Sequence, residues 1–350
     1  KLPIEPDSIE RMNVHVFDSN LNELWTNDIS LPFTMTDYLQ KSILLDNDGS
    51  VFLLCQKFFT KRLYRNARLV RHDSFENILF KFPKESKDGA KLVLSIPNKS
   101  LTDISIFLPQ TGGVLCSGYY CEKNSYGVVV GSFVFVIDRE KLQIDSQGLS
   151  PFIESFNNQY MTQASDSPVF DVSPSCAVHL GDGQVLIFSE QSRDYTTSYA
   201  YFMHGDHIST TAENHIHNDI FVRRISSRDS VNWLSRIPKR QYSEGYLNLF
   251  TGYVVSVIDG VTHLLFNDSE NNIAIDPWED VAQFEVEGEH ATLMWVAVDS
   301  VGRVYREPLV QPGSLEFAVQ PALCIAMPDG RVMLYASRKK EYRFGLVTFD

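Results

Sequence analysis

Five tight turns recur along the chain at nearly even spacing, and each joins two short apolar segments. Four of them are Asp-Gly pairs and one is Gly-Gly. Their second residues are Gly49, Gly113, Gly183, Gly260 and Gly330, so that successive turns lie 64, 70, 77 and 70 residues apart. Such dipeptides favour the positive φ angles of a two-residue hairpin. The spacing predicts that one supersecondary unit is built five times.

A second kind of turn falls between the glycine turns. In it, an acidic residue such as Asp18, Asp138 or Asp299 is followed six or seven positions later by an apolar or aromatic residue. Period-two alternation and β-branched residues mark the flanking segments as strands. Two alternating hairpins in each repeat predict a four-stranded antiparallel sheet. The predicted fold class is therefore all-β, a β-propeller of four-stranded blades.

We predict a single β-propeller domain over residues 1–350. Its repeats fall at approximately 34–100, 101–167, 168–243, 244–314 and 315–350. The last repeat lacks a fourth strand, and residues 11–33 resemble the two outer strands of a blade. The last blade is completed by residues 11–33 or by sequence outside this chain, which leaves both five and six blades open.

Charge and composition exclude several classes of function. The net charge of −13 and the pI near 5.2 give a field that repels phosphate backbones, so nucleic acid is not an expected partner. No apolar run approaches the roughly 18 residues of a membrane span. The first residues do not form a signal peptide, so we expect that any such segment has been removed. Five scattered cysteines do not suggest a disulfide framework.

Several short phrases resemble a group of uncharacterised exported repeat proteins of Bacteroidota. They lie at residues 16–21, 24–25, 31–33, 118–120, 189–191, 218–220, 237–241 and 266–268. The resemblance implies a propeller-like fold and a periplasmic, secreted or cell-surface location, with association to the outer membrane. It implies no activity, because none is assigned to that group.

Polar residues collect at one predicted face of the propeller, where the second and fourth strands of a blade end. Glu190 and Asp268 end two second strands, and a cluster of imidazoles enters a third strand from the same side. The candidate binding residues are Tyr199, Tyr201, His204, His207, His215, His217, Asp219, Lys239, Arg240 and Asn267. Two interpretations stay open: the residues bind a ligand, or they cap strand ends and link neighbouring blades.

Catalytic and metal sites have weaker support in the sequence. We predict no cofactor, because no phosphate-binding glycine loop or nucleophile motif is present. His204, His207, His215 and His217 are the candidate ligands if a metal binds, although their spacing matches no known site. Glu190 and Asp268 are the pair to consider if the protein hydrolyses a glycoside.

We therefore expect a non-catalytic binding or scaffold protein of the bacterial cell envelope. Its predicted partner is another protein, for example outer-membrane or secretion machinery, and a glycan is a further candidate. A long polar insertion in the third repeat, at about 192–217, is expected to carry part of the binding surface. The alternative is a carbohydrate-active hydrolase or lyase that uses the carboxylate pair or a histidine-bound metal.

Overall fold

The glycine turns close antiparallel hairpins in the computed structural model. The structure describes residues 9–34, 37–59, 75–109, 112–123, 129–152, 171–181, 184–203, 206–227, 233–275, 281–285, 291–310 and 316–349. Asp259 and Gly260 have φ angles of 50° and 78° and form a two-residue turn. At Gly49 and Gly330 only the glycine is left-handed, and in the second turn it is Gly112 rather than Gly113. The turn at 182–183 lies outside the described residues.

Two compact units divide the chain, the first mainly residues up to 164 and the second mainly the remainder. The first unit begins with the hairpin β1 (Ile9–Phe17) and β2 (Glu23–Thr34). A four-stranded sheet follows, made of β3 (Tyr38–Leu45), β4 (Val51–Phe58), β5 (Phe75–Phe82) and β6 (Ala90–Leu94). The next sheet consists of β7 (Lys99–Phe107), β8 (Val114–Glu122), β9 (Val129–Asp138) and β10 (Gln143–Pro151).

The second unit contains three sheets. The first consists of β11 (Asp171–Gly181), β12 (Gln184–Met203), β13 (Asp206–Ser226) and β14 (Trp233–Ile237), with β15 (Gln241–Glu244) also paired to β13. The second consists of β16 (Val254–Ile258), β17 (Val261–Ser269), β18 (Ala291–Val298) and β19 (Val304–Pro308). The third consists of β20 (Ala318–Val319), β21 (Ile325–Ala326), β22 (Val332–Arg338) and β23 (Glu341–Val347).

The predicted fold class is confirmed in its all-β organisation, with repeated four-stranded antiparallel sheets. The arrangement of these sheets as the blades of a β-propeller stays a prediction. In the described residues the only helical turns are the 3-10 segments Gly245–Phe250, Glu270–Asn272 and Pro321–Leu323. No helix in this part of the chain is long and apolar enough to cross a membrane. The single domain over residues 1–350 and the blade count stay predictions.

Within each unit, neighbouring sheets pack face to face through apolar side chains. In the first unit, Leu31 and Phe33 of β2 share a core with Leu53 of β4, and Phe52 shares a second core with Phe133 of β9. In the second unit, the sheets that begin with β11 and β16 share a core, as do those that begin with β16 and β20. The middle strands are buried on both faces, which explains their nearly continuous apolar runs.

Aspartates form the second class of turn, as the sequence predicts. Asp18, Asp138 and Asp299 each accept hydrogen bonds from backbone N–H groups two to four residues ahead, at 2.8–3.0 Å. This Asx geometry replaces a strand hydrogen bond with a local one and reverses the chain. The fourth such turn, before Trp233, has residues 228–232 outside the described part of the chain.

Candidate functional site

Two carboxylates occupy corresponding positions in neighbouring sheets of the second unit. Asp268 lies near the end of β17, as predicted, whereas Glu190 lies within the long strand β12 and does not end it. Glu190 follows the buried Phe188 by two residues on β12, and Asp268 follows the buried Phe266 by two residues on β17. Side chains two apart on a strand share a face. Each carboxylate therefore continues the row of its phenylalanine to the end of the core, where polar partners replace apolar ones.

A buried lysine neutralises Glu190. The Lys239 side chain is fully buried just beyond β14, and its Nζ donates to Glu190 Oε1 at 2.6 Å. It also donates to Gln241 Oε1 at 2.7 Å and to the backbone carbonyl of His217 at 3.2 Å. His217 Nδ1 lies 2.7 Å from the second oxygen of Glu190. All three ammonium donors are thus engaged, which is what burial of a lysine requires.

Burial and ion pairing have opposite effects on the pKa values of Glu190 and Lys239. Burial alone would raise the pKa of Glu190, but Lys239 and His217 together hold it below its ordinary value of 4.5. Burial lowers the pKa of Lys239 from 10.5, and the attraction of Glu190 and Asp219 offsets this only in part. The pair is therefore held ionised by its geometry in a place that would otherwise favour neutral groups.

A second ion pair lies beside the first. Asp219 on β13 accepts from Arg236 Nε at 2.7 Å and from the backbone N–H of Lys239 at 3.2 Å. Its carboxylate thus fixes both the last strand of the sheet and the start of the segment that carries Lys239. Asp219, which the sequence places among the binding candidates, is 4% exposed and has a structural role in this network.

The carboxylate of Asp268 is more deeply buried than that of Glu190. Asp268 is fully buried, forms an ion pair with Arg306 of β19, and accepts from Asn272 Nδ2 at 2.8 Å. Arg306 also donates to the backbone carbonyl of Pro238 at 2.7 Å, which connects this sheet to its neighbour. Burial lowers the pKa of Arg306 to about 10, although the nearby Asp219 works in the opposite direction.

Asn267 links sheets rather than facing a ligand. Its Nδ2 donates to the backbone carbonyls of Phe250 and Val319 at 2.8 and 2.6 Å, and its Oδ1 accepts from Val319 N at 3.1 Å. Its own carbonyl accepts from Gln241 Nε2 at 2.7 Å. Asn267 is fully buried, so for this residue the blade-linking interpretation describes what its side chain does.

A cleft of about 260 Å³ opens above the Glu190 cluster. Its floor is polar and its walls come from β13, from the segment after β14 and from residues 281–283. The lining residues are Gln191, Ile216, Asn218, Asp219, Arg236, Lys239, Arg240, Gln241, Tyr242, Val281 and Gln283. The cleft thus gathers three of the predicted binding residues, Asp219, Lys239 and Arg240.

The insertion of the third repeat is a β-ribbon and not an irregular loop. β12 has 20 residues and β13 has 21, whereas β11 has 11 and β14 has 5. The two long strands therefore run on beyond their sheet. We call residues 194–203 and 206–214 the arm.

Cross-strand polar contacts fix the base of the arm. His215 Nδ1 lies 2.8 Å from Asp194 Oδ1, and Asn214 Nδ2 donates to Thr197 Oγ1 at 2.9 Å. Tyr242 donates its hydroxyl proton to Asn214 Oδ1 at 2.6 Å from β15, which pairs with β13 there. Threonine and tyrosine favour the extended backbone, and this local preference accounts for strands where a loop was expected.

The histidine cluster is only partly described. His204 lies outside the described residues, as do the side chains of Tyr201 and His207. His215 and His217 alternate along β13 and each faces a carboxylate of β12. Within the described ranges no group of three or more His, Cys, Asp and Glu residues is arranged to hold a metal ion.

Sequence reasoning missed the cations that complete the network. Arg306 lies on β19 with Val304 and opposite to the exposed Tyr305, so its position in the alternation places it on the inward side. A charged residue on the inward side of a strand is a signal for a buried ion pair. Arg236 on β14 gives no such signal, because its neighbours Ser235 and Ile237 are the buried residues of that strand.

Comparison with known proteins gives little beyond this description. No family model and no curated protein matches the chain. The β-propeller domain of the Trilobed protease from Pyrococcus furiosus is 7% identical over 90% of this chain and 82% of its own, with a TM-score of 0.26. Trypanosoma rangeli sialidase in complex with sialic acid is 9% identical over 97% of this chain and 57% of its own, with a TM-score of 0.25. Similarities this distant carry no argument about function.

Proposed function

We propose that the protein is a non-catalytic binding module of the bacterial cell envelope, and that it engages a protein partner through the arm. The observation that carries the proposal is the ribbon itself, which continues beyond its sheet and is exposed on both faces. Asp194, Tyr195 and Thr196 are exposed in succession, as are Ser198 and Tyr199. A strand that served only the core would bury every second side chain.

The edges of the arm offer backbone hydrogen bonds. β14 and β15 pair with β13 at residues 220–224 and 214–217. Among the described residues no strand pairs with β13 at 206–213 on that side. An exposed strand edge is a site where an extended segment of another protein can add by β-augmentation, so the arm can hold a partner strand by main-chain contacts.

The charge of the arm specifies the partner further. Residues 194–214 contain Asp194, Asp206 and Glu213 and no lysine or arginine. The exposed rings of Tyr195 and Tyr199 add large contact area at low entropic cost. We therefore infer a partner that presents an extended segment rich in Lys and Arg, and binding that weakens as salt is added.

The ion pairs favour binding over catalysis. A glycosidase needs one carboxylic acid and one carboxylate that reach the substrate. Glu190 is paired with Lys239, and Asp268 is fully buried against Arg306. Neither carboxylate is poised to exchange a proton with a substrate. This supports the binding module over the alternative of a carbohydrate-active hydrolase or lyase.

The test is affinity capture from the envelope fraction of the native cells with three tagged full-length proteins. These are the unmodified chain, the arm variant Tyr195→Ser/Tyr199→Ser, and the matched control Tyr305→Ser/Tyr342→Ser, whose tyrosines are exposed elsewhere. We expect one protein to be captured stoichiometrically by the unmodified chain and the control, and lost with the arm variant. Capture that is unchanged in the arm variant, or the absence of any stoichiometric protein, would contradict the proposal.

A further inference from the structure

The cleft above the Glu190 cluster is rigidly built. Its floor consists of Lys239 and Gln241, whose side chains are fully buried and hydrogen-bonded to one another. One wall is fixed by the bridge between Gln241 and Phe284 and by the bond from Phe284 N to the carbonyl of Arg240 at 2.8 Å. A site with such support keeps its shape in the absence of a ligand.

Two polar groups at this cleft remain without a partner in the described part of the chain. Asn218 Oδ1 is buried and accepts no hydrogen bond. Arg240 is exposed, and no hydrogen bond or ion pair of its guanidinium is found among the described residues. Buried carbonyl oxygens are rarely left unsatisfied, so an orphaned one at a cleft indicates a missing donor.

The remaining lining groups of the cleft show which kinds of contact a ligand could make there. Gln191 and Gln283 contribute amides, which can both donate and accept, and Tyr242 contributes an aromatic wall. Two other cations of the lining, Lys239 and Arg236, are already paired with Glu190 and Asp219, respectively. Arg240 therefore supplies the uncompensated positive charge of the cleft, in a protein whose net charge is −13.

We propose that this cleft binds a small hydroxylated carboxylate of monosaccharide size, such as a uronic acid. The Arg240 guanidinium fork receives the carboxylate, because planar bidentate pairing is the geometry that arginine favours. Asn218 Oδ1 accepts from a ligand hydroxyl, and the ring of Tyr242 packs beside the sugar. A volume of about 260 Å³ is sufficient for one such unit. The cleft meets the base of the arm at Tyr242, which donates to Asn214, but Tyr195 and Tyr199 are not among its lining residues. The inference goes beyond the proposed protein partner.

Isothermal titration of the full-length protein with D-glucuronate tests this inference, with D-glucose and acetate as comparison probes. We expect saturable binding of glucuronate, and binding of glucose and acetate at least about tenfold weaker, since each lacks one half of the recognised chemistry. Added salt is expected to weaken the binding of glucuronate. Equal binding of glucose or acetate, or no saturable binding of glucuronate, would overturn the proposal.

Two variants test whether glucuronate binds in the cleft. Arg240→Gln is expected to weaken glucuronate binding by about tenfold to a hundredfold, the range for a charge-assisted pair. As a control, Arg303→Gln removes an exposed arginine from the turn between β18 and β19, which does not line the cleft. This variant is expected to leave glucuronate binding unchanged. Equal loss in both variants, or none in Arg240→Gln, would contradict the site.

Asn218→Ala is expected to reduce binding without abolishing it, and thermal unfolding checks that the variant is folded. Because Arg240 is exposed, its variant keeps the test informative even if Asn218→Ala does not fold. The arm variant Tyr195→Ser/Tyr199→Ser is expected to bind glucuronate normally. Failure of this inference is therefore distinguishable from failure of the proposed protein partner.

Discussion

β12 and β17 each carry a carboxylate at the edge of the core, and the two carboxylates are buried to different extents. Each lies two residues after a buried phenylalanine, Glu190 within β12 and Asp268 near the end of β17. Each is neutralised by a cation on or just beyond the last strand of its sheet. At Asp268 both carboxylate oxygens accept hydrogen bonds, and no part of the side chain is exposed. At Glu190 the side chain is 12% exposed, the cleft opens beside it, and the strand continues into the arm.

The difference shows how one sheet leaves a cleft beside its ion pair while its neighbour encloses the corresponding pair. Asp268 is short and is satisfied by Arg306, Asn272 and a backbone N–H inside the unit. The longer Glu190 reaches Lys239 and His217 and leaves room for lining groups above them. Breaking each network in turn should therefore separate stability from binding.

The largest effect is expected for Asp268→Ala. The change leaves Arg306 buried without its counter-ion, which typically costs about 3–5 kcal/mol of unfolding free energy. Urea unfolding measures this cost. The matched control is Glu307→Ala, on the exposed side of β19 next to Arg306, which is expected to lower the unfolding free energy by about 0.5 kcal/mol or less. A loss at Asp268 no larger than the control would show that the ion pair does not stabilise the fold.

A further variant separates the unpaired charge from the lost packing. In Asp268→Ala/Arg306→Met neither charge remains, so we expect part of the lost stability to return. Additive losses in the double variant would contradict the assignment of the cost to an uncompensated guanidinium.

A smaller loss of stability is expected for Glu190→Gln, about 1.5–3 kcal/mol. Glutamine keeps an oxygen that can accept from Lys239 Nζ, but the charge that offsets the buried ammonium is lost. Urea unfolding again provides the measurement. If Glu190→Gln cost more than Asp268→Ala, the distinction between a partly exposed and a fully buried carboxylate would be wrong.

The pH dependence of stability should differ between the unmodified chain and Glu190→Gln. Because the folded protein holds the pKa of Glu190 below 4.5, the carboxylate stabilises the fold above about pH 4.5. This contribution is lost as the pH falls through the lowered folded-state pKa. Unfolding measured between pH 7 and pH 3 should therefore show a shallower acid decline in Glu190→Gln. Parallel curves would contradict the ion pair.

The smallest effect on stability is expected in the arm. Tyr195→Ser/Tyr199→Ser should change the unfolding free energy by about 0.5 kcal/mol or less for each residue, because both rings are exposed. A loss as large as that in Glu190→Gln would mean that the arm is part of the core. Thermal unfolding monitored by circular dichroism is sufficient to decide.

Much of the fold follows from local signals in the sequence. The turn glycines, the Asx aspartates and the apolar alternation predicted the four-stranded sheets, because each depends on backbone geometry within a few residues. Residues 192–217 were predicted as a polar insertion, but the pairing of the two halves into a ribbon was not. That pairing depends on contacts such as Asn214 with Thr197, which lie far apart along the chain.

The candidate site was likewise predicted from the sequence only in part. The sequence by itself determined that Asp268 lies near the end of its strand and that Lys239 and Arg240 lie close to the end of theirs, since strand length and alternation place them there. The same prediction was wrong for Glu190, which lies within the 20-residue β12. Only the tertiary structure decided which cation neutralises which carboxylate. Arg306 lies 38 residues from Asp268 and Lys239 lies 49 from Glu190, and such partners are selected by burial and side-chain reach across a sheet. Arg240 was left uncompensated at the cleft for the same reason, because the neighbouring carboxylates were already taken by buried cations.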